Sequence, residues 1–351
     1  MRLVHGLRFA VGTLSVFPVR VERVDREVAG QAMTLAPAVG LVLGSAAGLP
    51  LLLGLPPLLG AALALGLLAL LTRGLHLDGL ADLADGLGSG KPAQQALDIM
   101  KKSDIGPFGV LTLVFTLIIQ MAALAETGFA ALVTACVAGR LALTWACRAG
   151  VPAARPDGLG AMVAGTVGRS AAWLATLAAL LGTAVLGLLT TPGAGIWALD
   201  GRPPTGSSLT EPAPTAPTES APPGSASGES AQAEERAAVS AQVLCRLGLP
   251  AGGSEAEGGV HDGIACPSPD PLTGRFVAVA VADEPEERAG GVGLGLSGVV
   301  AAPMALLAGL AAALMLLRRA RRRLGGITGD VLGALVESAA ATALVAAVAL
   351  S

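Results

Sequence analysis

Residues 57–87 read PLLGAALALGLLALLTRGLHLDGLADLADGL. From Pro57 to Leu71 there is no charge at all; then Arg73 and three aspartates arrive within a few turns. An uncharged apolar run that ends in a cation and a polar stretch is a membrane span emerging into water. Pro56-Pro57, just before it, interrupts the preceding apolar run. Proline ends a helix by removing a donor and restricting its neighbour, so the two runs read as a hairpin of spans rather than one overlong helix.

Working outward, apolar runs of spanning length lie near 34–54, 57–75, 108–126, 128–147, 171–191, 293–317 and 331–350. Hydrophobic residues make up 53% of the 351 and charged residues 14%, against roughly 25% charged in soluble domains. The apolar residues are mostly Ala, Leu, Val and Gly, and small residues let membrane helices approach closely. The predicted fold class is all-α: a polytopic transmembrane helix bundle of about seven spans. The N-terminal apolar residues Leu3, Leu7, Ala10, Leu14 and Phe17 recur at helical spacing, which predicts a retained interfacial helix rather than a cleaved signal peptide.

Three regions follow: 1–191 and 293–351 form the bundle, and 192–292 separates them. That middle region is dominated by Pro, Ala, Ser, Thr, Gly and Glu, too little apolar surface to offset chain entropy. It predicts a disordered insertion with one short helix at Ala237 to Leu249. Lys91, Lys101, Lys102, Arg148, Arg155, Arg169 and the run from Arg318 to Arg323 all fall in alternate short connections, while the turns near 55–57 and 126–128 carry no cation. Cytoplasmic loops collect Lys and Arg. This places the N-terminus and the 76–107, 148–170 and 318–330 connections in the cytoplasm of a cell-membrane protein, with the insertion on the other side. A net charge of −3 excludes nucleic acid as a partner on electrostatic grounds. The four cysteines show no metal-binding spacing; Cys245 and Cys266 are a candidate disulfide outside the cytoplasm.

Asp78, Asp82 and Asp85 stand at i, i+4 and i+7, within one arc of roughly 60° on a helix. Like charges on one face repel unless a cation sits among them. Gly79, Ala81, Ala84 and Gly86 add almost no bulk around them. All-carboxylate ligation selects a hard cation such as Mg²⁺ or Mn²⁺, which takes phosphate oxygens as further ligands. The three aspartates are therefore candidate metal ligands and catalytic residues, against the plainer reading of a solvated helix face. His76 lies about 200° from Asp78 around the helix, an interface residue or proton carrier rather than a ligand.

Lys101, Lys102 and Ser103, before the turn Ile105-Gly106-Pro107-Phe108-Gly109, are candidate phosphate contacts at a helix start; the plainer reading is a cationic membrane anchor. Arg140 lies well inside an apolar run, where a charge is expensive and has a function or a partner; pairing with one of the aspartates serves both. Arg155 and Asp330 belong to Gly-rich turns, Arg155-Pro156-Asp157-Gly158 and Gly325-Gly326-Ile327-Thr328-Gly329-Asp330. Arginine grips phosphate in a bidentate manner. Glu337 adds a carboxylate near the same face.

His76-Leu77-Asp78-Gly79-Leu80-Ala81-Asp82 with Asp85-Gly86-Leu87, Ile99-Met100-Lys101 with Ile105-Gly106-Pro107-Phe108-Gly109, and Gly325 to Asp330 with Leu332-Gly333-Ala334 together resemble the cobalamin synthase family. The resemblance covers nearly all of the chain except the insertion. It implies Mg²⁺-dependent joining of adenosylcobinamide-GDP to α-ribazole or its 5′-phosphate, yielding adenosylcobalamin or its phosphate and GMP, in the lipid bilayer. A homo-oligomer is left open. Two competing readings are a CDP-alcohol phosphotransferase, echoed by Asp82-Leu83-Ala84-Asp85-Gly86 but lacking that family's following Ala-Arg, and a secondary transporter. A transporter would carry its ionisable residues at the membrane midplane.

Overall fold

The computed structural model describes residues 2–102, 104–190 and 296–351. The predicted insertion at 192–292, its short helix, Ser103 and the cysteines at 245 and 266 lie outside the described residues. Ten α-helices are present among the described residues: α1 Arg2–Leu14, α2 Arg26–Ala47, α3 Pro57–Leu71, α4 Leu75–Gly88, α5 Ala93–Ile99, α6 Pro107–Ala146, α7 Gly158–Val163, α8 Arg169–Thr190, α9 Leu296–Leu324 and α10 Gly329–Leu350. A 3₁₀ turn, Leu49–Leu52, joins α2 to the segment before α3. The described residues form no strand, only isolated bridges. The all-α expectation holds.

Five of the helices are long and apolar enough to cross a membrane: α2, α6, α8, α9 and α10. Large apolar side chains stand exposed along their outer faces, among them Phe115 at 61%, Trp173 at 64%, Leu174 at 67% and Met315 at 67%. Such a surface suits lipid rather than water. The chain is a multi-pass membrane protein.

The 40-residue α6 is two helices, because Gly128 at its middle has φ 75° and ψ −158°. On a straight helix Gln120 and Gly139 would be about 28 Å apart. Yet Gln120 Nε2 donates to Glu337 Oε2 at 2.9 Å, and Gly139 packs against Val336, the adjacent residue of α10. The chain therefore reverses at Gly128, as the sequence predicted near 126–128. Dividing α6 there, and adding the short α3, recovers seven segments.

The second span is shorter than predicted. It ends at Leu71 rather than near 75, and α4 leaves it at 89°. Arg73 and Gly74 make the corner with φ of 55° and 66°. A left-handed conformation is unfavourable for an arginine, and here it is held by Arg73 Nη2 donating to Ser15 O at 3.1 Å. Val16 N donates to Leu71 O at 2.7 Å, locking the same corner to the end of α1. The N-terminal segment forms the predicted helix, but Phe9, Ala10 and Leu14 are its buried apolar side chains while Leu7 is 45% exposed.

Close backbone contacts set the packing. A Cβ at Gly40 of α2 would sit 2.5 Å from Cys136 O in α6. One at Gly79 of α4 would sit 2.8 Å from Asp330 O, and one at Gly333 of α10 3.1 Å from His76 O. The acidic helix is thereby pressed against the start of α10.

Candidate active site

A cavity of about 350 Å³ opens where α4, the 148–157 connection, α7 and the start of α10 meet. Its polar wall carries Asp78, Lys101, Arg155, Asp157 and Asp330, with His76 beside them. The two Gly-rich turns come together directly: Ala154 N donates to Ile327 O at 2.9 Å, and Ile327 N to Pro152 O at 3.0 Å. Gly326 is required there, since a Cβ would meet the Pro152–Ala154 backbone at 2.5 Å. This pairing brings Arg155 to Asp330, Nη1 to Oδ2, at 3.8 Å. Arg155 also donates from Nη2 to Leu97 O, so a carbonyl and a carboxylate aim its fork. Asp330 accepts from Thr328 Oγ1 at 3.2 Å, and Thr328 caps α10 by accepting from Val331 N at 3.2 Å.

The aspartates of α4 separate into two kinds. Asp82 is half-buried and surrounded by negative charge. Burial first, then Asp78, Asp330 and Asp85, push its carboxyl up to about 6, with Arg155 opposing. Asp85 is 8% exposed and fully engaged. Its Oδ2 accepts from Gly106 N at 2.7 Å and its Oδ1 from Gly109 N at 2.9 Å, so that it caps the start of α6. A Cβ at either glycine would strike this carboxylate. The glycines of the Ile105–Gly109 turn thus receive a carboxylate of the chain itself, not an external phosphate.

Among the described residues no three His, Cys, Asp or Glu side chains already converge as a metal-ligating group. The acidic crowding around Asp82 nevertheless fits a hard cation, because Asp78 and Asp330 both push its carboxyl up and a cation among them would relieve that repulsion. Asp85, committed to two amides, fits that role less well than Asp330, which the sequence offered as a phosphate contact.

The cationic candidates also separate. Lys101 lines the cavity. Lys102 is exposed and does not line it; Ser103 lies outside the described residues. Arg140 is 1% exposed, lies within α6, and does not line the cavity. Its Nε and Nη2 have no hydrogen-bond partner. The expected pairing with an aspartate is absent; the charge acts instead on His76 and on Glu337. Glu337 is likewise interior, bonded to Gln120. His76 is 3% exposed, and burial, with Arg140 adding, holds its imidazole well below the usual range and therefore neutral. The apolar lining, including Met33, Leu143 and Leu332, gave no sequence signal, because any apolar residue in a span reads as lipid-facing or core.

Similar curated proteins are the adenosylcobinamide-GDP ribazoletransferases of Frankia casuarinae, 45% identical over 206 residues, 54% of this chain and 74% of the relative, and of Nocardioides sp., 45% over 190 residues, 52% and 81%. That of Bradyrhizobium diazoefficiens is 40% identical over 203 residues, 54% and 75%. No solved structure matches. The family described as cobalamin-5-phosphate synthase matches residues 6–201 and 239–348, leaving out part of the predicted insertion. With most of its length covered, the chain belongs to the cobalamin-5-phosphate synthase family.

Proposed function

We propose that this protein is a transferase that joins adenosylcobinamide-GDP to α-ribazole or its 5′-phosphate, giving adenosylcobalamin or its phosphate and GMP, at the cytoplasmic face of the cell membrane. The activity is that of its named relatives. The observation that carries it is the acidic cluster at the cavity: Asp78 and Asp330 line it with Arg155, and both crowd Asp82, which does not itself line it. Phosphoryl transfer needs little covalent chemistry from a protein and much positioning and charge balance. A Mg²⁺ ion held by Asp78, Asp82 and Asp330 would supply positive charge to the pyrophosphate.

The chain's own residues do the rest. Arg155, braced by Leu97 O and Asp330, turns its free N–H groups to phosphate oxygens. Lys101 adds a mobile cation at the rim. The ribazole hydroxyl oxygen forms a bond to the phosphorus carried by the aminopropanol arm as the bond to the GMP oxygen breaks. Its proton passes to a nearby carboxylate that does not hold the cation. The gathering of Asp78, Arg155, Asp157 and Asp330 where α4 meets the Gly-rich turns supports this reading over a transporter, whose ionisable groups belong at midplane.

The test uses the purified full chain in phospholipid vesicles with both substrates. GMP and cobalamin should appear in equal amounts, and a chelator should abolish both until Mg²⁺ is returned. No GMP release under any divalent ion overturns the assignment.

A further inference from the structure

The outer surface of the bundle carries a second concavity, none of whose lining residues lines the candidate active-site cavity. It is a groove of about 520 Å³ between α2 and α8, with Val137 of α6 beneath. Its walls stand open: Ala38 and Leu41 of α2 and Leu174, Ala178 and Gly182 of α8 are all exposed. At Gly182 a Cβ would have no neighbour within 4 Å. The groove is apolar apart from Thr34 and Thr183, and each of these donates its hydroxyl proton to a carbonyl of its own helix. Its α8 wall continues into the apolar surface of Leu177, Leu181 and Val185, each more than half exposed, which faces lipid in a multi-pass protein.

The groove is long and narrow. Ala171 and Leu186 mark its two ends on α8, about 22 Å apart along the helix axis. Its volume spread over that length leaves a section of about 24 Å², roughly a quarter of that of an α-helix with its side chains. A helix of a second copy does not enter such a channel, whereas one extended hydrocarbon chain does. Near the starts of α2 and α8 the groove runs into a polar recess of about 390 Å³, which shares Thr34, Leu35 and Ala171 with it and adds Glu27, Gln31 and Thr166. Both helices are membrane spans that begin there, at Arg26 and Arg169. The polar recess therefore lies at the membrane boundary, at the depth of the glycerol and ester groups of a lipid, and the apolar groove leads inward from it.

We propose that this groove is a binding site for one acyl chain of a membrane phospholipid, with the glycerol ester region of the same lipid in the polar recess. Lipid tails are as apolar as leucine, so a chain gains nothing by merely leaving the bilayer for the protein; it is held by close packing. Small residues supply that packing. Ala38 on α2 and Ala171, Ala175, Ala178 and Gly182 on α8 let a chain approach the backbone on both sides, and Leu41 and Leu174 flank it as rims. The second acyl chain stays in the surrounding bilayer. The bound chain fills the gap between α2 and α8 and completes the contact of both with α6.

The experiment washes the full chain free of lipid in a mild detergent, adds back palmitoyl-oleoyl phosphatidylglycerol and counts the lipids held per chain by native mass spectrometry. The wild type should keep one lipid after the detergent has been stripped. A lysophospholipid, which has a single chain, should displace it; glycerophosphoglycerol, the headgroup without chains, should not. Gly182→Leu puts a side chain into the open section of the groove and should lower the retained fraction at least about tenfold, since a close-packed section has no room for both. Ala178→Leu, at another exposed wall position, should do the same and covers the case in which the first variant folds poorly. Leu181→Phe, 60% exposed and outside the groove, should leave retention unchanged. Four results overturn the site: no lipid on the wild type, displacement by the headgroup alone, full retention in both groove-filling variants, or equal loss in Leu181→Phe. If filling the groove instead separates a dimer into monomers with lipid retention unchanged, a second copy covers it and the proposal fails.

Discussion

Asp82 and Asp85 are one helical turn apart and each follows a Leu-Ala pair, yet their environments are opposite. Asp85 has traded water for two backbone amides of another helix; Asp82 has kept partial access to solvent and gained three carboxylate neighbours. A buried carboxylate that accepts hydrogen bonds is content as an anion, whereas one crowded by like charges takes up a proton or a cation. The first fastens α6, and the second is the proposed site. A regular pattern of acids along a helix thus identifies a face but does not say which member does chemistry.

The largest expected effect is at Asp82. Asp82→Asn keeps the shape and removes the charge, and turnover should fall on the order of 10²-fold or more in protein that still inserts and unfolds near the wild-type temperature. GMP release at varied Mg²⁺ checks this. Activity near wild type with unchanged Mg²⁺ dependence would reduce the acidic wall to a solvated helix end.

Asp85→Asn should fail differently. One amide of the α6 cap loses its acceptor and meets an N–H₂ group instead, and hydrogen bonds to charged groups contribute about 1.5–3 kcal/mol. The expected result is a clear drop in the apparent unfolding temperature in detergent, with activity lost in proportion to unfolded protein. If Asp85→Asn is fully stable but inactive, the two aspartates are more alike than their surroundings suggest.

A smaller effect belongs to Arg155→Lys. Charge is retained while the fork braced by Leu97 O and Asp330 is lost, and the two side chains are not equivalent at such sites. KM for the nucleotide donor should rise about tenfold, with acceptor KM little changed.

The smallest is a pH effect. Asp82 has a carboxyl at about 6 in the folded chain against an ordinary 3.8. Between those values the folded state binds more protons than the unfolded one, so stability falls as pH rises from about 4 to about 6 and levels off above. In chelator, the wild type should unfold at a higher temperature at pH 5 than at pH 7 relative to Asp82→Asn, which lacks this contribution. Equal pH profiles for the two would show that Asp82 is not crowded.

Much of this was legible from the chain alone. Uncharged runs of spanning length fix where helices must cross lipid, because backbone groups there have no water to turn to. The acidic periodicity and both Gly-rich turns were also visible, since each is written within a few consecutive residues. Partners far apart in sequence were not. That Gly106 and Gly109 serve Asp85, that Arg140 and Gln120 both face Glu337, and that Met33 and Leu143 share a cavity all depend on the reversal at Gly128 and the corner at Arg73 and Gly74. Sequence by itself determined the membrane class, the segments and the chemistry on offer, through composition and period. Only the tertiary structure decided which carboxylate is satisfied by backbone amides and which is crowded by like charge, because desolvation and hydrogen bonding depend on the neighbours that packing brings.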